Sequence, residues 1–192
     1  MKNNHRMQSF ISRYKVLFLA LSLVVFGIIA VVLLQGGNSS PNSDVANGQS
    51  NAPRALQLSF QDYSGTNRDL SSFLQDGPIV VNSWAVWCPF CVKELGDFAD
   101  AQEQYKGKVT IIAINRAEPL AVAKDFTDEL GISQKLVFLQ DPDDKFYQTI
   151  EGFSMPETIF VARDGTIIEH KRGPLTKEEI IQKLLRLLGD NS

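Results

Sequence analysis

The chain has 192 residues, two cysteines, two histidines and a net charge of −3, which bounds it at one domain plus an appendage. The charge is uneven: Lys2, Arg6, Arg13 and Lys15 precede all 22 acidic residues, and the part from Asp44 onward is acidic overall. An acidic domain excludes the basic face that nucleic-acid binding needs, and two cysteines three apart are no disulfide framework.

Residues 1–15 form a basic tail. Val16 to Leu34 is an uncharged apolar run, which as a helix would span about 28 Å, close to the hydrocarbon thickness of a bilayer. No Lys or Arg occurs from Gln35 to Pro53, and the positive-inside rule then predicts a cytoplasmic N-terminus with the remainder outside. The rival reading is a cleaved signal peptide. Its apolar region is shorter and ends at a small-x-small site, whereas Gln35-Gly36-Gly37-Asn38 follows here. The expectation is a single-pass membrane protein anchored by residues 16–34. Residues 35–53, rich in Asn, Ser and Gly, read as a flexible linker, and residues 54–192 as the folded domain.

Within that domain Leu56, Leu58 and Phe60 alternate with polar residues, which predicts a strand, and Ser64-Gly65 marks a turn. Leu70 to Leu74 reads as a short helix ended by Gly77-Pro78. Ile79 to Trp84 is a compact β-prone run suited to a buried strand. Val92 to Tyr105 carries Leu95, Phe98 and Ala99 at helical spacing, with Gly107 as its stop. Val109 to Ile114 reads as a second buried strand, Leu120 to Leu130 as a helix, Lys135 to Gln140 as a strand and Asp143 to Ile150 as a short helix. Thr158 to Arg163 and Thr166 to His170 flank Asp164-Gly165, a hairpin turn signal. Thr176 and Glu179 stand at capping-box spacing before a last apolar-faced helix. Such βα alternation implies parallel strands with crossover helices, and the hairpin adds an antiparallel edge.

Cys88-Pro89-Phe90-Cys91 stands where a strand gives way to a helix. A cysteine at a helix N-terminus has its thiolate stabilised by free N–H groups and the helix dipole. Pro89 suits the first turn, where a missing N–H loses no partner. Cys91, one turn on, is close enough to form a disulfide with Cys88 or to resolve a mixed one. Half of a zinc site is the competing reading, but zinc takes four ligands and no second cysteine pair exists. A purely structural disulfide would close too short a loop to remove much chain entropy. The expectation is a redox-active disulfide with no metal and no other cofactor.

Trp84-Ala85-Val86-Trp87-Cys88-Pro89-Phe90-Cys91 resembles the W-x-x-W-C-x-x-C signature of the thioredoxin superfamily. It is similar in particular to the extracytoplasmic TlpA/ResA group and the related cytochrome c biogenesis thioredoxins of CcmG/DsbE type, over about Arg54 to Leu188. The resemblance implies an α/β thioredoxin-like fold, a central mixed sheet flanked by helices, beside the N-terminal transmembrane helix. It implies catalysis by Cys88 and Cys91. Met155-Pro156-Glu157-Thr158 matches the place of the family's cis-proline; on its residues alone Pro156 is a trans loop proline before a strand. The same resemblance makes Trp87, Pro89, Phe90, Met155 and Pro156 substrate-binding. Glu94 falls where the ResA-like proteins carry an acid beside the active site, which would act in proton transfer; on helix statistics alone it is a solvated residue. Glu118 falls near a second acidic position of that group. Trp84 reads as core packing.

The function expected from the resemblance is that of a thiol–disulfide oxidoreductase acting on protein thiols and disulfides, reducing them, with apocytochrome c as one target. Its electrons would come from a membrane carrier of the CcdA/DsbD kind. Proline stands first between the cysteines, where many of the group put it second, so a disulfide-forming oxidase of DsbA type remains an alternative; the non-enzyme alternative is a copper-handling thiol protein.

Overall fold

A computed structural model describes residues 52–189; the expected basic tail, the membrane span and nearly all of the linker lie outside the described residues. Among the described residues no helix is long and apolar enough to cross a membrane.

Helix α1 (Ala52–Leu56) leads into strands β1 (Ser59–Asp62) and β2 (Asn67–Asp69), and a 3-10 turn covers Leu70–Gln75. Strand β3 (Ile79–Trp84), helix α2 (Pro89–Gln104), strand β4 (Thr110–Arg116), helix α3 (Leu120–Glu129) and strand β5 (Val137–Asp141) follow. Helix α4 (Lys145–Thr149), the hairpin β6 (Glu157–Val161) and β7 (Ile167–Arg172), and helix α5 (Lys177–Gly189) complete the order. The seven strands form one sheet in the order β2-β1-β5-β4-β3-β6-β7. β3, β4 and β5 are parallel, while β6, β7, β1 and β2 join antiparallel. The mixed sheet expected from βα alternation and a terminal hairpin is therefore present.

Side chains alternate across a strand, and β3 uses both faces. Ile79 and Val81 pack with α1, the 3-10 turn and α4. Val80 and Trp84 pack with Leu95 and Phe98 of α2 and Ile180, Leu184 and Leu187 of α5. A strand covered on both faces reads as a continuous apolar run, which is why Ile79 to Trp84 was legible. Asn82 breaks that run on the α2 side and is fully buried. The last helix has the expected capping box: the Thr176 N–H donates to Glu179 Oε2 at 2.8 Å and the Glu179 N–H to Thr176 Oγ1 at 3.2 Å.

Two expectations need correction. Leu56 belongs to α1, and the strand starts only at Ser59. Ala55 and Leu56 are adjacent and both buried, which helical packing allows and strand alternation does not. Strand β2 was not anticipated. Its three residues are all exposed, so no apolar pattern marks it. The turn creates it: Asp62 Oδ1 accepts the N–H groups of Ser64 and Thr66 at 2.9 and 3.0 Å, and Gly65 takes φ 83°.

Candidate active site

The parallel strands end on the edge of the sheet where Trp84 hands the chain to α2. Cys88 is the N-cap of that helix, with extended φ −97° and ψ 102°, and its Sγ accepts the Cys91 N–H at 3.2 Å. Pro89 occupies the first helical position, where its missing N–H has no partner to lose. Cys88 and Cys91 are joined as a disulfide with their Cα atoms 5.3 Å apart. Cys88 is 3% exposed and Cys91 0%, so access to the pair is through Cys88 and is narrow. On either side of Cys88, Trp87 and Phe90 are 62% and 61% exposed. Trp84 is instead a core residue, tilted against Phe126 and edge-on to Phe138.

The loop carrying Cys88 is held from below. Glu118 follows β4, and its carboxylate accepts the Val86 N–H at 2.9 and 3.2 Å and the Asn115 amide at 2.6 Å. The structure thus brings Glu118 to the site as a support of the cysteine loop.

Glu94 is 1% exposed and is no solvated helix residue. Three residues past Cys91 on one helix, it shares that cysteine's face. Its Oε1 accepts the Leu175 N–H at 3.0 Å and its Oε2 the Asn82 amide at 3.3 Å, and Asn82 also donates to Thr158 Oγ1 at 3.0 Å. Burial pushes the Glu94 carboxyl up to about 8, against the opposing pull of these two donors and of Lys171. A carboxyl that titrates near neutral pH can take up or return a thiol proton.

The Met155–Pro156 bond is cis, as the resemblance implied. β6 pairs antiparallel with β3, with Glu157 opposite Ser83. That register sets Pro156 beside the end of β3, where the cysteine loop begins. Met155 packs against the core cluster that contains both cysteines. The sequence reading missed the role of the next residue. Glu157 is fully buried, and its Oε1 accepts the N–H groups of Phe153 and Ser154, both at 2.8 Å. His170 Nε2 lies 2.6 Å from its Oε2. Only its company in a β-prone stretch, Glu157-Thr158-Ile159-Phe160-Val161, hinted that it faces inward. Phe153, 76% exposed, was also missed, since one apolar residue in a loop carries no pattern.

A family model for Redoxin matches residues 46–185. The chain belongs to the Redoxin family. This redoxin is 27% identical to the thiol-disulfide oxidoreductase ResA of Halalkalibacterium halodurans over 139 residues, 70% of the chain and 75% of that relative. It is 25% identical to the ResA protein of Bacillus cereus, covering 86% of the chain and 91% of the relative. Among solved structures, a putative thiol:disulfide interchange protein DsbE from Chlorobium tepidum superposes with a TM-score of 0.64 at 21% identity, over 70% of this chain and 95% of that one. A secreted Mycobacterium tuberculosis disulfide oxidoreductase homologous to Escherichia coli DsbE gives 0.62 at 23% identity, over 69% and 98%. These likenesses establish a thioredoxin-like fold of the TlpA/ResA group, and with its cysteine pair this redoxin is a thiol–disulfide oxidoreductase.

Proposed function

We propose that the protein reduces disulfides of other proteins outside the cytoplasm, anchored by residues 16–34, with apocytochrome c as a target and a membrane carrier of the CcdA/DsbD kind as its electron source. The observation that carries this reading is the buried Glu94 carboxyl on the same helix face as Cys91. Oxidants of this fold are strong because their reduced form, with a stabilised thiolate, is favoured. Burial that keeps this carboxyl protonated up to about 8 disfavours negative charge in that part of the core, and it disfavours a Cys91 thiolate for the same reason. It therefore raises the relative stability of the disulfide, and the dithiol gives up its electrons readily. The segment between α2 and β6 supports the same direction, since it holds only the short helices α3 and α4 and no large helical insertion of the DsbA kind.

In the reductive step the Cys88 thiolate attacks one sulfur of the target disulfide. A Cys88–target bond forms, the target S–S bond breaks, and the departing thiolate takes a proton. Cys91 then loses its proton to the ionised fraction of Glu94 and attacks Cys88 Sγ. The Cys88–target bond breaks, the second target sulfur leaves as a thiolate and takes a proton, and Cys88–Cys91 is oxidised by two electrons. Two electrons and two protons from the membrane carrier restore the dithiol. Trp87, Pro89 and Phe90 on one side and Met155 and Pro156 on the other form the face that meets the target, and the backbone before Pro156 offers strand-like pairing to it. The apolar length of residues 16–34 and the positive charges before it support the anchor.

Alkylation of thiols in intact cells tests the direction. A pair working as reductant is recovered mostly as the dithiol, and recovery mostly as the disulfide contradicts the reading. A Cys91→Ala variant should accumulate mixed disulfides through Cys88 with extracytoplasmic proteins. Recovery of the mature protein in a soluble fraction contradicts the anchor.

A further inference from the structure

The loop before Pro156 is fastened by several hydrogen bonds. Glu157 Oε1 takes the N–H groups of Phe153 and Ser154, both at 2.8 Å. The Tyr147 hydroxyl donates to the Ser154 carbonyl at 2.9 Å, and the Gly173 N–H to the Pro156 carbonyl at 2.9 Å. Gly152 lies so close to the Tyr147 ring that a Cβ there would sit 2.5 Å from it. Glu157 is itself held, with His170 Nε2 at 2.6 Å and Arg172 Nε at 3.9 Å from Oε2.

What this fastening presents outward is Phe153. Its ring is 76% exposed, and the Arg172 guanidinium lies over it at 4.8 Å. A single exposed apolar side chain is ordinary, but Phe153 is not alone at this end of the sheet. Trp87 and Phe90 are exposed in the same way beside Cys88. β6 lies next to β3 in the sheet, so the two loops that carry these three rings leave the same edge.

We propose that Phe153 is a specificity-determining residue of the exchange reaction, and that Glu157, backed by His170, is the positioning residue that aims it. The occupant of the rim is an extended polypeptide with a bulky apolar side chain beside its cysteine. Apolar surface recognises apolar surface, and the pinned backbone reduces the entropy lost when the target binds. This rests on the oxidoreductase reading and adds a target preference to it.

Two glutathionylated peptides that differ only in leucine or serine beside the cysteine test the proposal, with the reduced full-length protein. The wild type should reduce the leucine peptide with a kcat/KM about tenfold above the serine peptide, the discrimination expected for one apolar side chain in a partly open site. F153A should bring that ratio close to one, through KM for the leucine peptide and not through kcat. H170A removes one partner of Glu157 without touching the loop, and should lower the ratio part-way, again through KM. E157Q keeps an oxygen for the two N–H groups and should stay nearer the wild type than H170A. A ratio that F153A leaves at its wild-type value overturns the proposal. A change in H170A that appears in kcat or in the reduction potential overturns the positioning role, because the network would then act on the thiols. A wild type that reduces neither peptide overturns the oxidoreductase reading instead.

Discussion

Glu94 and Glu157 are both buried carboxylates on elements that frame the disulfide, yet their surroundings differ. Glu94 stands on α2 with two neutral donors, the Leu175 N–H and the Asn82 amide. Glu157 stands on β6 with two backbone N–H groups on one oxygen and an imidazole and a guanidinium near the other. Burial disfavours charge unless donors or opposite charges offset it. At Glu94 they do not, and its carboxyl is pushed up to about 8. The difference separates two uses of one side chain. A carboxyl with few donors can hold and release a proton, whereas Glu157, bound on both oxygens, fastens a loop.

The sharpest way to break this comparison is to remove each carboxylate. Glu157→Ala orphans two backbone donors and the His170 contact inside the core, so it should lower stability by roughly 3–5 kcal/mol, the cost of breaking a buried pair; urea unfolding measures this. A loss under about 1 kcal/mol would mean that Glu157 fastens nothing. Glu94→Gln should act mainly through pH. The folded-state pKa of Glu94 is raised from 4.5 to about 8, so between these values the native state holds a proton that the unfolded chain has lost. Stability is then greatest below about pH 4.5 and falls as pH rises through that window, levelling above about 8. Glu94→Gln should flatten this part of the profile, and a variant with an unchanged slope would remove Glu94 as its source. The smallest effect belongs to Glu118→Gln, which keeps one acceptor for the Val86 N–H. It should cost about 1 kcal/mol and slow exchange at Cys88 more than it lowers the melting temperature.

Much of this arrangement was legible because chemistry and periodicity coincide in the sequence. β3 showed itself as a short apolar run, and the run ends at Trp84, just before the cysteine pair. Cys88 reads as a helix cap because Pro89 can only stand in a first turn. Glu94 was singled out by the resemblance, but its place in the sequence cannot tell a buried helix face from a wet one, and its burial depends on the segment before α5, whose Leu175 N–H it accepts. Glu157 and His170 were hidden for a related reason. They are 13 residues apart and meet only because β6 and β7 pair, with Ile159 opposite His170. β1 and β2 were misread or missed because a hydrogen-bonded Asp62 turn defines them, and side-chain pattern does not. The expected basic tail and membrane span, and the expected linker up to residue 51, lie outside the described residues.

The account stands on one claim, that the buried acid beside the cysteines makes this pair a reductant. The reduction potential of the Cys88–Cys91 couple at pH 7, measured by equilibration with a glutathione or dithiothreitol buffer, tests it most directly. The account predicts a value below about −180 mV, on the reducing side of the isomerase value, and a less negative value in Glu94→Gln. A potential near −120 mV, the range of the strong oxidant DsbA, would contradict it.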